Sequence, residues 1–429
     1  MAAVTSLANV GDRGDGASTN APMPASEVEV GLLTGGCDKP YAFGLATALV
    51  SKGVTLDFIG SDELDDPELH ASPNLRFLNL RGCQRRDASL ARKVWRILVY
   101  YVRLIRYAAV ANPGIFHILW NNKFQTFDRT LLMLYYKLLG KKIVFTAHNV
   151  NAGKRDANDS PLNRLTLRIQ YCLSDHVFVH TEQMKSELLR DFGIDEETVT
   201  VIPFGINNAV PHTDVTPAEA REHFGIRSRD KAILFFGNVE PYKGLQFLAE
   251  AFHKIAVKDP EVRLIIAGRL GKGCEKYLQE VRQTLRREVS GGQVIQAIGY
   301  IPDEDAELYF KAADILVLPY THVFQSGVLF LGYSFGLPVI ATDVGSVSDE
   351  IVEGRTGFLC RPCDATDLAR AIEKYFESDL CKSLYDRRAE IRDYANARHS
   401  WNVVGDMTTS LYSQLLAGRA SHEKSKAET

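Results

Sequence analysis

The strongest constraint on this chain is an alternation that runs its course and then starts again. From Glu27, short apolar runs (EVEVGLLTG, VTLDFIG, LRFLNL, IFHILW, KIVFTAH, HVFVH, VTVIPFG) alternate with helical patterns near 41–51, 89–111, 127–139, 160–173 and 182–191. INNAVPHTDVTP, a polar stretch with two prolines, interrupts them. The alternation then resumes through AILFFG, VRLIIAG, VIQAIGY, ILVLPY and PVIATD, with helical patterns over 243–258, 274–288, 303–312, 327–335 and 364–377. Strands separated by helices pair in parallel and are covered on both faces. The pattern therefore predicts an α/β chain of two doubly wound domains, 27–208 and 223–398, joined by a linker at 209–222.

Composition narrows the class. A net charge of -3 with 45% hydrophobic residues suits a globular chain and gives no global sign of nucleic-acid binding. The seven cysteines form no disulfide-like framework, which suits a reducing compartment. Cys360-Arg-Pro-Cys363 is the one tight pair; a zinc site needs about four ligands, so these read as ordinary thiols. Residues 1–26 and 419–429 read as disordered tails, the first lacking the basic start and apolar core of a signal peptide. No window is long and apolar enough to span a bilayer.

In doubly wound sheets ligands sit beyond the carboxyl ends of the strands. The loops there are GGCDKPYAFG (35–44), AHNVNAGKR (147–155), GNVEPYKG (237–244), GRLGKG (268–273), GYIPDEDA (299–306) and YTHVFQSG (320–327). A helix N-terminus in such a loop offers unpaired N–H groups to a phosphate. In GNVEPYKG, Gly237 permits the turn and Lys243 is expected in the first helical turn, an arrangement suited to a diphosphate; the alternative is a helix start with a solvated lysine. From Thr321 to Ile340 there is no Asp, Glu, Lys or Arg. Gln325, Ser326, Gly327 and Val328 can still hold an anion there with backbone N–H groups and hydroxyls, the alternative being a turn whose glycine serves only close packing.

FFGNVEPYKG (235–244), LIIAG (264–268), GYIPDEDAELYFKAADILVLPY (299–320) and SGVLFLGYSFGLPVIATDVGSVSDEIVEGRTGFL (326–359), with TAHNV (146–150), VIPFGI (201–206) and a Trp401-bearing C-terminal helix, together resemble the retaining nucleotide-sugar glycosyltransferases of family four. The resemblance covers nearly all of 27–418. It implies the GT-B architecture, two Rossmann-like domains facing across a cleft, with the nucleotide sugar on the second and the 399–418 helix packing back toward the first. It also implies that Lys243 holds the donor diphosphate, that Gly299, Tyr300 and Ile301 lie where backbone reads the base, that the 326–328 turn meets diphosphate and sugar, and that His148 faces the donor sugar. Two departures stand out. The family's arginine after FxG is Asn238 here, and its two glutamates fall on Val323 and Leu331. Arg269 is a candidate to replace that arginine, a solvated loop side chain being the alternative.

Between Arg81 and Arg155 stand 15 Lys plus Arg against two acids. At about 100° per residue, Arg92, Arg96, Arg103 and Arg106 share one face of a helix, with Val94, Leu98, Tyr101 and Ile105 expected on the core side. Such a stripe suits an anionic membrane surface or the acceptor side, against the alternative of a solvated face.

The expected function is retaining transfer of a hexose from a nucleoside diphosphate sugar to a glycan or lipid-linked glycan. No metal or other cofactor and no nucleic acid is expected, and the expected location is the cytoplasm, on the inner face of the plasma membrane. A sugar-nucleotide epimerase and a catalytically silent sugar-nucleotide-binding protein are the alternatives.

Overall fold

The computed structural model describes residues 28–35, 39–84, 89–155, 159–206, 210, 212–323 and 325–427. The expected 1–26 tail lies outside them. The first sheet comprises β1 (Glu29–Leu33), β2 (Thr55–Gly60), β3 (Leu75–Asn79), β4 (Ile115–Ile118), β5 (Lys142–Thr146), β6 (His176–Val179) and β7 (Val199–Val201). The second comprises β8 (Lys231–Phe236), β9 (Val262–Gly268), β10 (Val294–Ile298), β11 (Ile315–Leu318), β12 (Val339–Thr342) and β13 (Gly357–Cys360). Their orders are β3-β2-β1-β4-β5-β6-β7 and β10-β9-β8-β11-β12-β13. Every pairing of named strands is parallel.

The winding reverses between β1 and β4 in one sheet and between β8 and β11 in the other. At such a switch point adjacent strand-end loops diverge to opposite faces and leave a crevice. Helices cover both faces, so β4 and β11 are buried along their whole length. This explains their uninterrupted apolar runs.

The Trp401–Ala427 helix lies on the first sheet, where Val404 and Tyr412 are buried against the Lys39–Ser51 helix and the strands. Tyr412 Oη lies 2.6 Å from His117 Nδ1, whose Nε2 lies 2.7 Å from Thr146 Oγ1. Trp401 donates from Nε1 to Ile206 O at 2.9 Å and packs on Gly44 and Gly205, where a Cβ would fall 2.1 and 2.3 Å from its ring.

Several boundaries differ from expectation, each for a local reason. The helix expected to end at 418 runs to Ala427, since RASHEKSKA contains neither Gly nor Pro to stop it. The expected linker contains the Pro217–His223 helix, started by a Thr216/Glu219 capping box. Arg221 ties this helix to Asp314 of the second domain at 3.0 Å. The 274–288 helix breaks at Leu285 into Glu275–Thr284 and Arg286–Ser290. The pattern near 127–139 resolves into Gln125–Phe127, a π-helical Asp128–Leu132 and Met133–Leu138.

The largest correction concerns Leu90–Val110, the arginine-bearing helix. Val94 and Leu98, expected in the core, are about half exposed, while Tyr100, Tyr101, Leu104 and Tyr107 are buried. The tyrosines fix the rotation because each hydroxyl finds an acceptor: Asn122 at 2.6 Å, Asp128 at 2.9 Å and Asp57 at 2.8 Å respectively for Tyr100, Tyr101 and Tyr107.

Candidate active site at the two switch points

On the second sheet, the strand-end loops are stitched to one another. Gly237 (φ 118°) ends the β8 run and donates to Ala267 O at 3.0 Å; Val239 N donates to Arg269 O at 2.8 Å and Gly299 N to Gly268 O at 3.0 Å. Thr321 N, after β11, donates to Tyr242 O at 2.9 Å. A Cβ on Gly237 would lie 3.4 Å from Val328 Cγ2, so the loops after β8 and β11 are in contact.

Lys243 ends a Pro241–Lys243 3-10 turn instead of entering the helix, which begins at Leu245. Gly244 (φ 69°) makes the break, and a Cβ there would fall 1.7 Å from Pro319 O. The Lys243 ammonium thus stands 4.1 Å over the Tyr320 ring and 5.3 Å from that of Tyr242. Burial works against its charge, but Tyr320, Tyr242 and Glu240 outweigh that and hold its pKa above the ordinary value.

Beside it the Gly327–Ser334 helix begins without a side-chain cap. Ser326 is buried, and its hydroxyl pairs with Tyr320 Oη at 2.9 Å instead of capping its own helix. Both polar atoms of the Gln325 amide are buried without a partner among the described residues. Val323 and Leu331, at the positions of the absent glutamates, are buried. Asn238, Arg269 and Tyr300 are exposed at the same end of the sheet, with Gly299 and Ile301 half-buried beside Tyr300.

Across the cleft, His148 follows β5 at the first sheet's carboxyl end. Its ring stacks on Trp120, which follows β4, with centroids 4.2 Å apart and planes 4° from parallel. The Tyr41 ring meets it edge-on at 4.6 Å. His180 Nδ1 faces Ile202 O at 3.3 Å, and its Nε2 lies 3.1 Å from His148 Nδ1. A carbonyl only accepts, so the His180 proton sits on Nδ1 and His148 Nδ1–H donates to His180 Nε2. His148 Nε2, buried without a partner among the described residues, is left with a lone pair. Both rings are neutral: burial brings His180 down to about 4, and burial, then His180 and His117, hold His148 well below its ordinary value.

The two sides meet through Phe204, stacked on Phe330 at 5.5 Å and packed on Tyr41 at 5.3 Å. Pro40, Tyr41, Phe204, Val328, Leu331 and Trp401 line a cavity of about 220 Å³ between the domains. His399 fastens the junction from Nδ1 to Phe204 O at 3.1 Å and from Nε2 to Glu350 at 2.8 Å. The fold therefore gathers Gly237, Lys243 and the 325–328 turn, with His148 on the facing wall. Arg92, Arg96, Arg103 and Arg106 lie apart, on an outer helix of the first domain. Tyr320, His180, Trp120 and Phe204 went unread in the sequence because their parts depend on contacts between different loops.

Two family models match the chain: Glycosyltransferase Family 4 over residues 40–210 and Glycosyl transferases group 1 over residues 230–378. The chain belongs to glycosyltransferase family four. Its two Rossmann-like domains are the GT-B architecture. The D-inositol 3-phosphate glycosyltransferase of Corynebacterium aurimucosum is 25% identical over 64% of this chain and 66% of its own length. The chain thus spans just under two thirds of that relative. The like-named protein of Gordonia bronchialis is 22% identical over 96% of this chain and 93% of its own. Among solved structures, sucrose-phosphate synthase from Thermosynechococcus elongatus superposes with a TM-score of 0.72 at 20% identity, covering 91% of this chain and 100% of that one. Anabaena HepE in complex with UDP-glucose gives 0.66 at 15%, covering 91% and 99%. These likenesses carry the fold.

Proposed function

We propose that the chain transfers a hexose, with retention, from a nucleoside diphosphate sugar to a glycan or lipid-linked glycan. The observation that carries this reading is Tyr320, which places the Lys243 ammonium beside an uncapped helix N-terminus, two complements to one diphosphate. Gly237 lets the backbone approach, and the free Gln325 amide adds a donor and an acceptor. The hexose extends toward His148, whose Nε2 lone pair accepts a hydrogen bond from a sugar hydroxyl. As the bond from the anomeric carbon to the diphosphate oxygen breaks, the acceptor oxygen bonds that carbon on the same face and gives its proton to the departing oxygen. Retention follows without a protein base, and Lys243 and the helix terminus stabilise the charge that develops.

An epimerase needs placed acid and base groups at the sugar, and the apolar Val323 and Leu331 favour transfer over that reading. Lys243 and the Gly327–Ser334 helix terminus supply the positive charge that a diphosphate needs, so full turnover is expected in EDTA. We place the chain in the cytoplasm, against the inner face of the plasma membrane, with the arginine helix on the acceptor side.

A thermal-shift screen of UDP-, GDP- and ADP-sugars tests the donor, since a ligand at about 100 times its dissociation constant adds about 2.7 kcal/mol. NMR of the product's anomeric proton then tests the stereochemistry, with inositol 3-phosphate and a lipid-linked glycan as acceptors. A bound donor with no transfer to any acceptor favours a silent binding protein, and an inverted product overturns retention.

A further inference from the structure

The rotation of the Leu90–Val110 helix changes what its outer face can do. Trp95, Leu98 and Val102, each about half exposed or more, form an apolar strip alongside the arginines. Tyr135 Oη of the Met133–Leu138 helix donates to Ile105 O at 3.2 Å, which sets that helix beside the Leu90–Val110 helix. The continuous helical stretch from Asp128 to Leu138 exposes Leu131, Leu134 and Leu138. Beyond it, Arg129 donates to Asn163 at 2.8 Å and so ties it to the Pro161–Leu173 helix, which exposes Leu162 and Leu165. Three neighbouring helices thus present one apolar surface, and single scattered leucines would need no such account.

Its charge is one-sided. Arg92, Arg103 and Arg106 are exposed along one edge. Between residues 89 and 155 the sole acid is Asp128, buried and held by Tyr101 and Asn122. These helices carry no exposed carboxylate among the described residues, and Asp159, just before the third, is paired with Arg164. Apolar faces with such an arginine border match an anionic bilayer, which offers phosphates to the arginines and acyl chains to the leucines. No helix among the described residues is long and apolar enough to span one.

We propose that this face is a wedge into an anionic lipid bilayer, with the arginines at the headgroups and Trp95, Leu98, Leu131 and Leu134 among the acyl chains. The inference deepens the acceptor-side reading above and replaces adsorption by charge alone with partial insertion. The three helical segments follow β3, β4 and β5. Their starts therefore lie at the cleft end of the sheet, and insertion brings the cleft rim to a membrane-anchored acceptor.

The test uses the full chain with phosphatidylcholine vesicles containing about a third phosphatidylglycerol. Trp95 emission should shift to the blue and be quenched by brominated acyl chains, and the Trp95→Phe variant should lose that signal. Because insertion is apolar, measurable binding should persist in about 0.5 M salt, where the Debye length is only about 4 Å. Leu98→Ser/Leu131→Ser/Leu134→Ser should weaken low-salt binding by roughly tenfold or more and remove the salt-resistant part. Arg92→Glu/Arg103→Glu/Arg106→Glu should abolish low-salt binding. Binding wholly lost in salt with Trp95 unquenched would reduce the face to an electrostatic stripe and overturn the wedge. So would a parent dimer in sedimentation that the serine variant dissociates, because a second copy would then cover the leucines. Nucleoside diphosphate thermal shifts, read in parallel, show whether the donor reading stands if the wedge fails. Should the serine variant fold poorly, the parent's quenching decides alone.

Discussion

The Ser326 hydroxyl lies 2.9 Å from the Tyr320 hydroxyl, and the ring beneath that hydroxyl carries the Lys243 ammonium 4.1 Å from its centre. The pair turns a good capping side chain away from its own helix terminus. It also gives the lysine a π face that attracts its charge without neutralising it. Cation and N-terminus stay available to the same anion.

Lys243→Ala removes a charge-assisted hydrogen bond to the diphosphate, worth about 1.5–3 kcal/mol. Transfer should fall roughly ten- to hundredfold, with little change in melting temperature. Initial rates and calorimetric melting check this together, and an unchanged rate would sink the assignment.

Tyr320→Phe keeps the ring under Lys243 and removes only the hydroxyl. Ser326 is then free to cap the Gly327–Ser334 helix and compete with the anion for its N–H groups. Nucleoside diphosphate affinity, read by titration calorimetry, should weaken by roughly tenfold for about 1.4 kcal/mol. Unchanged affinity would mean that the hydroxyl pair serves packing alone.

His148→Ala should lower turnover tenfold or more and leave nucleoside diphosphate binding nearly intact, because the two groups sit on opposite walls. His180→Phe should act through tautomer choice. In the parent, long-range ¹⁵N–¹H correlations should show His148 Nδ1 protonated and Nε2 bare; in the variant that preference should be lost. Equal loss of stability and turnover in both variants would mark a purely structural pair.

Burial lowers His117 to about 3 and His176 and His180 to about 4. In the unfolded chain these rings take up protons near pH 6.5, so below that the unfolded state binds more protons than the folded one. Their contribution to stability is full above pH 6.5 and falls as pH drops toward 4, by up to about 1.4 kcal/mol per unit for each ring. Urea midpoints measured from pH 7 to pH 4 should decline accordingly. His176→Gln, at a ring that bonds Thr200 far from the cleft, should flatten the decline without changing donor binding.

Gly44→Ala puts a methyl 2.1 Å from the Trp401 ring, whereas a Cβ on Gly299 meets nothing within 4 Å. The first should lower the melting temperature by several degrees by lifting the C-terminal helix off the first sheet, at a cost of about 1–3 kcal/mol. The second should leave it unchanged. Equal melting of both would show that the indole moves aside freely.

Most of the order of elements, the two doubly wound sheets, the glycine-ended strands and the positions of Lys243 and His148 in strand-end loops were legible in the sequence, whereas the edge strand β13 and the Leu384–His399 helix were not. The legible features are all local: a period of two or of 3.6 residues, a turn residue and a motif's spacing each act over a few neighbours. The Leu90–Val110 helix shows where that ends. Its sequence carries apolar residues on more than one face, so periodicity offered Val94 and Leu98 to the core as readily as Tyr100 and Tyr107. Only acceptors on other elements, the buried Asp57 and Asp128 and the half-buried Asn122, decided the rotation. The same holds for Tyr320 under Lys243, for the proton order from Ile202 through His180 to His148, and for Trp401 on Gly44. Each joins residues from different loops or helices, and the packing of the two domains alone brings them within reach.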